Sequence, residues 1–474
     1  MINLKKIGLM VLVIYWVLAV SFYFLAGDQL RYRESRGNLV MPDPEGGAVE
    51  LIEGVLLEQH FTAAIQRLEA VSVMWGTCYR PNAGTVTMEL WDADGEELLI
   101  RQAFDASSIE EGGFTVLSAE QPMEGYYNAP LMLRLYSDSQ LGSAVFPMLS
   151  VSAVRPAAST LAVNGVPVDG VLCFSAMGED YIWSGLHYWR IMTIGMVLLL
   201  LCMLLVLYRE RKGHSYVVNA LIAMNRYRFL IRQLVSRDFK TKYKRSVLGV
   251  FWSFLNPLLT MGVQYVVFST IFKSNIENFP AYLLIGIVSF NFFSEATGMA
   301  LSSITGNAGL ITKVYVAKYI YPLTRVISSL VNLSISLIPL ILVCILTGVN
   351  FSPASLLAVY FLFCLVVFSL GLGLLLASSM VFFRDTQFLW GVLSMIWVYL
   401  TPIFYPESIL PEKLQIVLHC NPLYHLIKSE RMCIMSGLSP EPVVYVRCAA
   451  MAIAMLVFGA LVFRKSQDKF VLYL

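Results

Sequence analysis

The chain alternates between long hydrophobic runs and one extended polar region, and it opens on a hydrophobic run. Lys5 and Lys6 precede an apolar stretch over residues 7–26, and about 20 apolar residues match one bilayer crossing. A signal peptide is the competing interpretation, but its apolar core is usually shorter and ends in a small-x-small cleavage site. The aromatic residues at 22–24 do not resemble such a site, so we expect an uncleaved transmembrane anchor over residues 1–27.

The next region, residues 28–187, is polar, rich in turns and alternates with a period of two. Hydrophobic and polar residues alternate along Val86–Leu90 and again along Leu131–Leu135, which is typical of half-buried strands. The dipeptides Asp94-Gly95 and Asn164-Gly165 mark tight hairpin turns. A region of about 160 residues can bury its own core. The pattern therefore predicts an all-β sandwich that folds as a separate domain.

Hydrophobic segments return after the polar region, first as a crossing within residues 188–208 and then as six crossings within residues 247–474. Their approximate limits are 189–207, 248–272, 281–303, 324–347, 354–381, 388–404 and 444–463. With the anchor they make about eight transmembrane helices. The predicted fold class is an α-helical integral membrane protein with the β-sandwich between helices 1 and 2. The semi-polar, proline-rich stretch 405–443 is expected to be an outer re-entrant segment.

Composition and charge support a membrane protein and give its orientation. The chain is 57% hydrophobic and only 14% charged, which excludes an ordinary soluble protein of this size. Between Tyr208 and Leu248 stand eleven Lys or Arg residues against two acids, and such clusters remain on the cytoplasmic side. Counting crossings from there predicts cytoplasmic termini and an extracytoplasmic β domain. The basic patches are expected to face anionic lipid or phosphate, with no role for nucleic acid.

The basic segment over residues 209–246 has the pattern of a cytoplasmic amphipathic interface helix. Two explanations of its charge remain open. The bases anchor the helix among anionic headgroups, at about 1 kcal/mol per Lys or Arg, or some of them bind a phosphorylated lipid, because Arg binds phosphate bidentately. The candidate lipid-diphosphate residues are Arg237, Lys240, Lys242 and Arg245.

Four groups of residues follow one another in a specific order over residues 225–474. They are Ser236–Phe239 with Tyr243–Gly249 and Trp252–Pro257; Asn307–Lys313 with Pro322; Phe382–Asp385; and Thr401–Pro406 with Asn421–Leu423, Arg431 and Gly437. The order resembles that of the permease subunits of ABC-2-type polysaccharide exporters, which move O-antigen, capsule and teichoic acid chains. Typical members begin near the interface helix and have six crossings, so the β domain and the two helices that flank it are a departure from the family pattern.

The resemblance implies a homodimer of this chain with two copies of a cytoplasmic ABC ATPase, and a polyprenyl-linked polysaccharide as the cargo. The sequence contains no GxxxxGK[ST] motif, the loop that cradles nucleotide phosphates. ATP and Mg are therefore expected in the partner subunit, and this chain is expected to have no cofactor and no enzyme activity. By the same resemblance Asn307, Leu310, Ile311 and Lys313 form the segment that couples to the ATPase; an ordinary short loop is the alternative.

Aromatic residues cluster in three segments that the family places around its translocation path. Aromatic faces stack on sugar rings, which suits a sliding polymer, whereas an interfacial belt of Trp and Tyr with lipid-facing Phe is the plainer explanation. The candidate path residues are Trp252, Phe254, Phe290, Phe292, Phe293, Glu295, Tyr399, Phe404 and Tyr405. Because a carboxylate inside a crossing is costly, Glu295 is expected to line a polar channel or to pair with a neighbouring helix.

Metal and catalytic patterns are absent from the sequence. The eight cysteines lack metal-ligand spacing, although the compartment of the β domain permits a disulfide between Cys78 and Cys173. A rival to the exporter is a membrane-anchored glycan-binding or glycosyl-transferring protein without transport activity. The sequence lacks the acidic metal-binding clusters that a glycosyltransferase usually has, and it favours a permease subunit of an ATP-driven exporter of lipid-linked polysaccharide.

Overall fold

The chain divides into two compact units. The computed structural model describes residues 4–43, 47–92, 94–151, 159–211, 225–244, 246–272, 276, 278–313 and 316–474. One unit is Arg31–Leu186, and the other combines Met1–Leu30 with His187–Leu474. The first is built from β-strands and the second from α-helices.

The β unit consists of antiparallel strands in every pairing of its described residues. The strands are β1 Tyr32–Gly37, β2 Leu56–Thr62, β3 Arg67–Gly76, β4 Thr85–Asp92, β5 Leu98–Asp105, β6 Phe114–Glu124, β7 Pro130–Ser137, β8 Phe146–Pro147, β9 Leu149–Ser150, β10 Thr160–Val163, β11 Val166–Val168, β12 Val171–Leu172 and β13 Phe174–Tyr181. One sheet has the order β1-β13-β3-β6, with β8 paired to β3, and the second has the order β11-β10-β2-β7-β4-β5. A short third sheet pairs β12 with β9.

Both main sheets contribute side chains to one hydrophobic core. The core includes Val71 and Phe174 from the first sheet, and Phe61, Met88 and Leu133 from the second. The apolar residues that alternate along β4 and β7 all lie in this core, as the period-two pattern predicts. Thr87 and Glu89 on the other face of β4 are also buried. The predicted all-β sandwich is confirmed.

The predicted Asn164-Gly165 turn joins β10 to β11. Asn164 has φ 51° and Gly165 has φ 76°, so both central residues are left-handed, as a two-residue type I′ hairpin requires. The Asn164 side chain also accepts a hydrogen bond from the backbone N–H of Leu56 at 2.7 Å. The turn thereby ties the β10–β11 hairpin to the start of β2.

The helical unit contains eleven described helices of at least eight residues, labelled here in chain order. They are α1 Leu4–Ala26, α2 Tyr188–Arg211, α3 Arg228–Tyr243, α4 Phe251–Phe272, α5 Phe279–Leu301, α6 Ile320–Leu346, α7 Ala358–Phe382, α8 Thr386–Leu400, α9 Glu412–His419, α10 Pro422–Arg431 and α11 Pro442–Ser466. Short helical turns occur in this unit at Ala308–Ile311 and Phe470–Tyr473, and a further one at Trp183–Leu186 ends the β unit.

Seven helices of the described residues are long and apolar enough to cross a bilayer, namely α1, α2, α4, α5, α6, α7 and α11. The predicted crossing at 388–404 falls on α8, which has 15 residues and is therefore about 22 Å long, against a hydrocarbon thickness of about 30 Å. Seven of the about eight predicted crossings therefore have the length of a full span, and the eighth corresponds to the shorter apolar helix α8. Pro402 follows this helix closely, and a proline cannot continue a regular helix.

The helical core is organised around α5, which is buried along most of its length. Helices α7 and α11 cross at glycines: a Cβ on Gly459 would lie 1.9 Å from the carbonyl oxygen of Gly371. Gly371 and Gly459 thus allow close packing of α7 on α11, because small residues let membrane helices approach closely.

Candidate functional site

A cavity of about 610 Å³ opens among α3, α5 and α6. Three bases and two acids line it: Arg237, Lys242, Arg325, Asp238 and Glu295. The remaining lining includes the polar groups of Thr241, Ser328 and Asn332. The cavity thus combines a net positive charge with neutral hydrogen-bonding groups beside two long apolar helices.

Helix α3 is amphipathic, as its sequence predicts. Leu234 is buried against Ile304, Ile311 and Tyr321, whereas Arg232, Arg237 and Lys240 are exposed. Arg237 and Lys240 share one surface because residues three apart lie on the same side of a helix. Of the segment 209–246 that was predicted to be a basic interface helix, residues 228–243 form α3 and residues 209–211 end α2. Residues 212–224 and Arg245 lie outside the described residues.

Asp238 anchors α3 to α6 through a buried ion pair. Its Oδ1 accepts from Arg325 Nη1 at 2.8 Å, and its Oδ2 accepts from the Ser328 hydroxyl at 3.3 Å. The Asp238 side chain is only 5% exposed. Breaking a buried pair by removing one partner typically costs about 3–5 kcal/mol, because a charge is left uncompensated. The pair therefore holds α3 against α6 beside the cavity.

Glu295 forms the second ion pair, at the rim. Its Oε1 accepts from Lys242 Nζ at 2.8 Å and from Asn332 Nδ2 at 2.6 Å. The Lys242 side chain is 43% exposed and that of Glu295 is 27% exposed, and exposed pairs contribute only about 0–1 kcal/mol. The expectation that Glu295 pairs with a neighbouring helix agrees with its contact with Asn332 of α6.

The predicted lipid-diphosphate residues do not all meet in this cavity. Arg237 and Lys242 line it, and Arg237 Nη2 also donates to Asn307 Oδ1 at 3.3 Å. Lys240 is exposed but does not line the cavity. Sequence reasoning missed Asp238, Arg325 and Asn332. Arg325 was detectable, because an arginine inside the apolar segment 324–347 is expensive unless it is paired.

The candidate path residues separate into buried and exposed groups. Phe290, Phe292 and Phe293 are buried in the helical core, and Phe293 lies edge-on to Trp397 at a ring-centroid distance of 5.2 Å. In the described conformation they serve packing within one chain. Tyr399 is exposed.

The other candidate path aromatics lie on or near the surface. Trp252 is exposed, Phe254 stacks on Phe251, and Phe404 stacks on Phe268. The hydroxyl of Tyr405 donates to the carbonyl of Tyr399 at 2.5 Å. These residues remain candidates for contact with a passing glycan.

The predicted coupling segment has an inner and an outer side. Asn307 is buried and donates from Nδ2 to the carbonyl of Ser303 at 2.8 Å, and Ile311 packs in the cluster that includes Leu234. Leu310 and Lys313 are exposed. The inner pair fixes the loop while the outer pair is available to a partner.

The segment that follows α8 is held by side chains of the recognised motif. Asn421 accepts from Trp397 Nε1 at 2.8 Å and donates to the Thr401 hydroxyl at 2.9 Å. Arg431 is buried and donates to the carbonyls of Pro402 at 2.7 Å and Ile403 at 3.0 Å. The motif residues thus satisfy backbone groups of a non-helical turn, which a membrane environment requires.

The permitted disulfide between Cys78 and Cys173 is not formed. Both cysteines are free, Cys78 exposed and Cys173 buried. Cys173 is held in the core by backbone hydrogen bonds to Met74 at 2.8 Å and Met148 at 2.7 Å. Burial in these surroundings raises the pKa of the Cys173 thiol to about 12, which makes it an inert apolar residue.

Comparison with known proteins identifies the helical unit. The family model of the ABC-2 type transporter matches residues 230–435. The O-antigen export system permease protein RfbA of Myxococcus xanthus is 32% identical over 251 residues, or 52% of this chain and 95% of that protein. The chain belongs to the ABC-2 type transporter family.

Further relatives agree with this membership. The polysialic acid transport protein KpsM of Escherichia coli is 23% identical over 246 residues, which cover 50% of this chain and 93% of that protein. The capsule polysaccharide export inner-membrane protein CtrC of Neisseria meningitidis serogroup A is 24% identical over 199 residues, which cover 41% of this chain and 75% of that protein. The resemblance to ABC-2-type polysaccharide exporter permeases is confirmed. This ABC-2 permease is a non-catalytic membrane component, which decides against a glycosyl-transferring protein.

Proposed function

We propose that this ABC-2 permease is the membrane subunit of an ATP-driven exporter that carries a polysaccharide linked to polyprenyl diphosphate across the inner membrane. The observation that carries the proposal is the basic cavity among α3, α5 and α6. Arg and Lys bind phosphate through charge-assisted hydrogen bonds, which are about twice as strong as neutral ones. A diphosphate headgroup fits a cavity of this charge at the edge of the apolar helices.

Two copies of the chain would form the path, and two cytoplasmic ATPase subunits would bind ATP and Mg. The proposed orientation keeps both termini and α3 in the cytoplasm, where positive residues concentrate. The β unit is then extracytoplasmic and positioned to meet the emerging glycan. The aromatic side chains of Trp252, Phe254, Phe404 and Tyr405 provide surfaces on which sugar rings can stack.

Replacement of the cavity bases tests the headgroup role. We expect Arg237→Ala with Lys242→Ala to reduce glycan at the cell surface by about tenfold or more, because each lost hydrogen bond to a charged group costs about 1.5–3 kcal/mol. The measurement is surface glycan in cells that lack the native gene and express the variant at a matched level. Arg226→Ala is the matched control, since Arg226 is exposed and outside the cavity lining. Unchanged export in the double variant would remove the proposed headgroup site.

The exposed side of the coupling segment supports contact with the ATPase. We expect Leu310→Glu with Lys313→Glu to lower ATP hydrolysis of the purified complex about tenfold, because an apolar contact and a positive charge are replaced by two negative charges. Both residues are exposed, so the variant should fold and insert normally. Leu141→Glu, at an exposed position of the β unit, controls for the substitution itself. ATPase activity equal to that of the native complex would contradict the coupling role.

A further inference from the structure

The two carboxylates of the cavity differ in how firmly they are held. Asp238 is nearly enclosed and uses both oxygens: Oδ1 accepts from Arg325 at 2.8 Å and more weakly from Arg237 at 3.4 Å, and Oδ2 accepts from Ser328. Glu295 stands at the rim and meets Lys242 and Asn332 through Oε1. A buried pair resists separation because the charges lose their solvent and their partner together. A partly exposed ion pair separates at little cost in free energy.

We propose that Glu295 is an internal counter-ion that occupies the position of a phosphate on Lys242 until a lipid diphosphate displaces it. The inference rests on the proposed function, because it concerns the same cavity and the same ligand. Lysine suits such an exchange, since its ammonium sits on a flexible stem and donates three hydrogen bonds without a fixed geometry. Arg325 stays in place throughout because Asp238 holds it.

The charge of the cavity favours binding of a diphosphate over binding of a headgroup with a single negative charge. The three bases face two carboxylates, so the ligand-free cavity carries one net positive charge. A headgroup with a single negative charge replaces Glu295 on Lys242 with no gain in charge, whereas a diphosphate brings at least two negative charges to Arg237 and Lys242 together. Repulsion between phosphate and the Glu295 carboxylate then drives that side chain away.

The exchange also reaches α6. Asn332 of α6 contacts both α5 and α3. Its Nδ2 donates to Glu295, and its Oδ1 accepts from the Tyr243 hydroxyl at 3.2 Å. Departure of the Glu295 carboxylate frees the Asn332 amide. Ligand binding is therefore communicated from the rim of the cavity to the end of α3 and to α6.

The first test uses the native chain and a zero-length crosslinker. A water-soluble carbodiimide joins an amine to a carboxylate only where the two are in contact, so it should link Lys242 to Glu295 in the full-length chain in nanodiscs of zwitterionic lipid. Geranylgeranyl diphosphate is the probe, and its binding is measured separately with radiolabel. We expect saturating probe to reduce the yield of the crosslinked peptide about fivefold. Geranylgeraniol and added phosphatidylglycerol should leave the yield unchanged.

An unchanged yield at saturating probe would overturn the exchange, and an equal loss with phosphatidylglycerol would assign the site to ordinary anionic lipid. A probe that does not bind the native chain at all would instead contradict the proposed function. The two failures are therefore distinguishable.

The second test removes the counter-ion charge. Glu295→Gln keeps the size of the side chain and an oxygen that can accept from the Asn332 amide. We expect this variant to bind the probe about tenfold more tightly than the native chain. In a Lys242→Met background the same substitution should change affinity less than twofold, because the base that Glu295 neutralises is gone. Equal or weaker binding of the probe by Glu295→Gln would reject the counter-ion role. If Arg237→Ala still reduced affinity, the proposed headgroup site would remain supported.

Discussion

Asp238→Ala should destabilise the helical unit more than any other single charge removal on α3. The substitution leaves the Arg325 guanidinium without its carboxylate, in a position where that side chain is only 21% exposed. The expected loss is about 3–5 kcal/mol, measured as the free energy of unfolding or the thermal midpoint in detergent. Asp238→Asn keeps hydrogen-bond acceptors and should fall between the native chain and Asp238→Ala.

The double variant Asp238→Ala with Arg325→Met shows whether the loss comes from the stranded charge. We expect it to recover much of the stability, because replacing both partners of a buried pair with apolar groups is often close to neutral. Asp385→Ala, which removes an exposed acid, should stay within about 0.5 kcal/mol of the native chain. Native stability of Asp238→Ala would show that the pair does not anchor α3.

Gly459→Ala is expected to disrupt the crossing of α7 and α11. Its new Cβ would meet the backbone carbonyl of Gly371, and a backbone atom cannot move aside as a flexible side chain does. Overpacking typically costs about 1–3 kcal/mol of stability. Because this clash is with a backbone atom, we expect a loss at or above the upper end of that range. The measurement is the thermal midpoint in detergent, together with the yield of monodisperse protein.

Gly391→Ala provides a control of opposite sign. Gly391 lies in α8 with open space where its Cβ would be, and Ala is favoured over Gly in a helix by about 1 kcal/mol. This variant should be as stable as the native chain or slightly more stable. A destabilisation equal to that of Gly459→Ala would mean that the helix crossing is not the cause.

The hydrophobic patterns predicted the two units because both depend on local periodicity. Alternation along β4 and β7 follows from the strand period, and long apolar runs follow from the thickness of a bilayer. The interface helix was predicted for the same reason, since the spacing of Leu230, Ile231 and Leu234 against Arg232 and Arg237 gives an apolar side and a charged side.

The contacts within the cavity could not be predicted in this way. Asp238 is the one acid on the described part of α3, and it is buried although it stands beside the exposed Arg237. Its partner Arg325 lies on another helix, and which pairs of helices meet is decided by tertiary packing. The same holds for Phe290, Phe292 and Phe293: composition shows that they are aromatic, but only packing shows that they are buried.

The length of α8 was misjudged because hydropathy does not reveal where a helix ends. The apolar residues continue to Phe404, yet α8 ends at Leu400. Asn421 and Arg431 stabilise the non-helical residues that follow, and both are distant in sequence. Their side chains supply the hydrogen bonds that a longer helix would otherwise have supplied.

Photocrosslinking of a lipid diphosphate is the most direct test of whether the cavity among α3, α5 and α6 receives the headgroup. The probe is a polyprenyl diphosphate with a diazirine close to the diphosphate, added to the full-length chain in nanodiscs and mapped by mass spectrometry. We predict labelled peptides that contain residues 237–242 and 295–299, with labelling competed by unlabelled diphosphate but not by the corresponding alcohol. Labelling confined to other helices, or unaffected by the competitor, would contradict the proposed site.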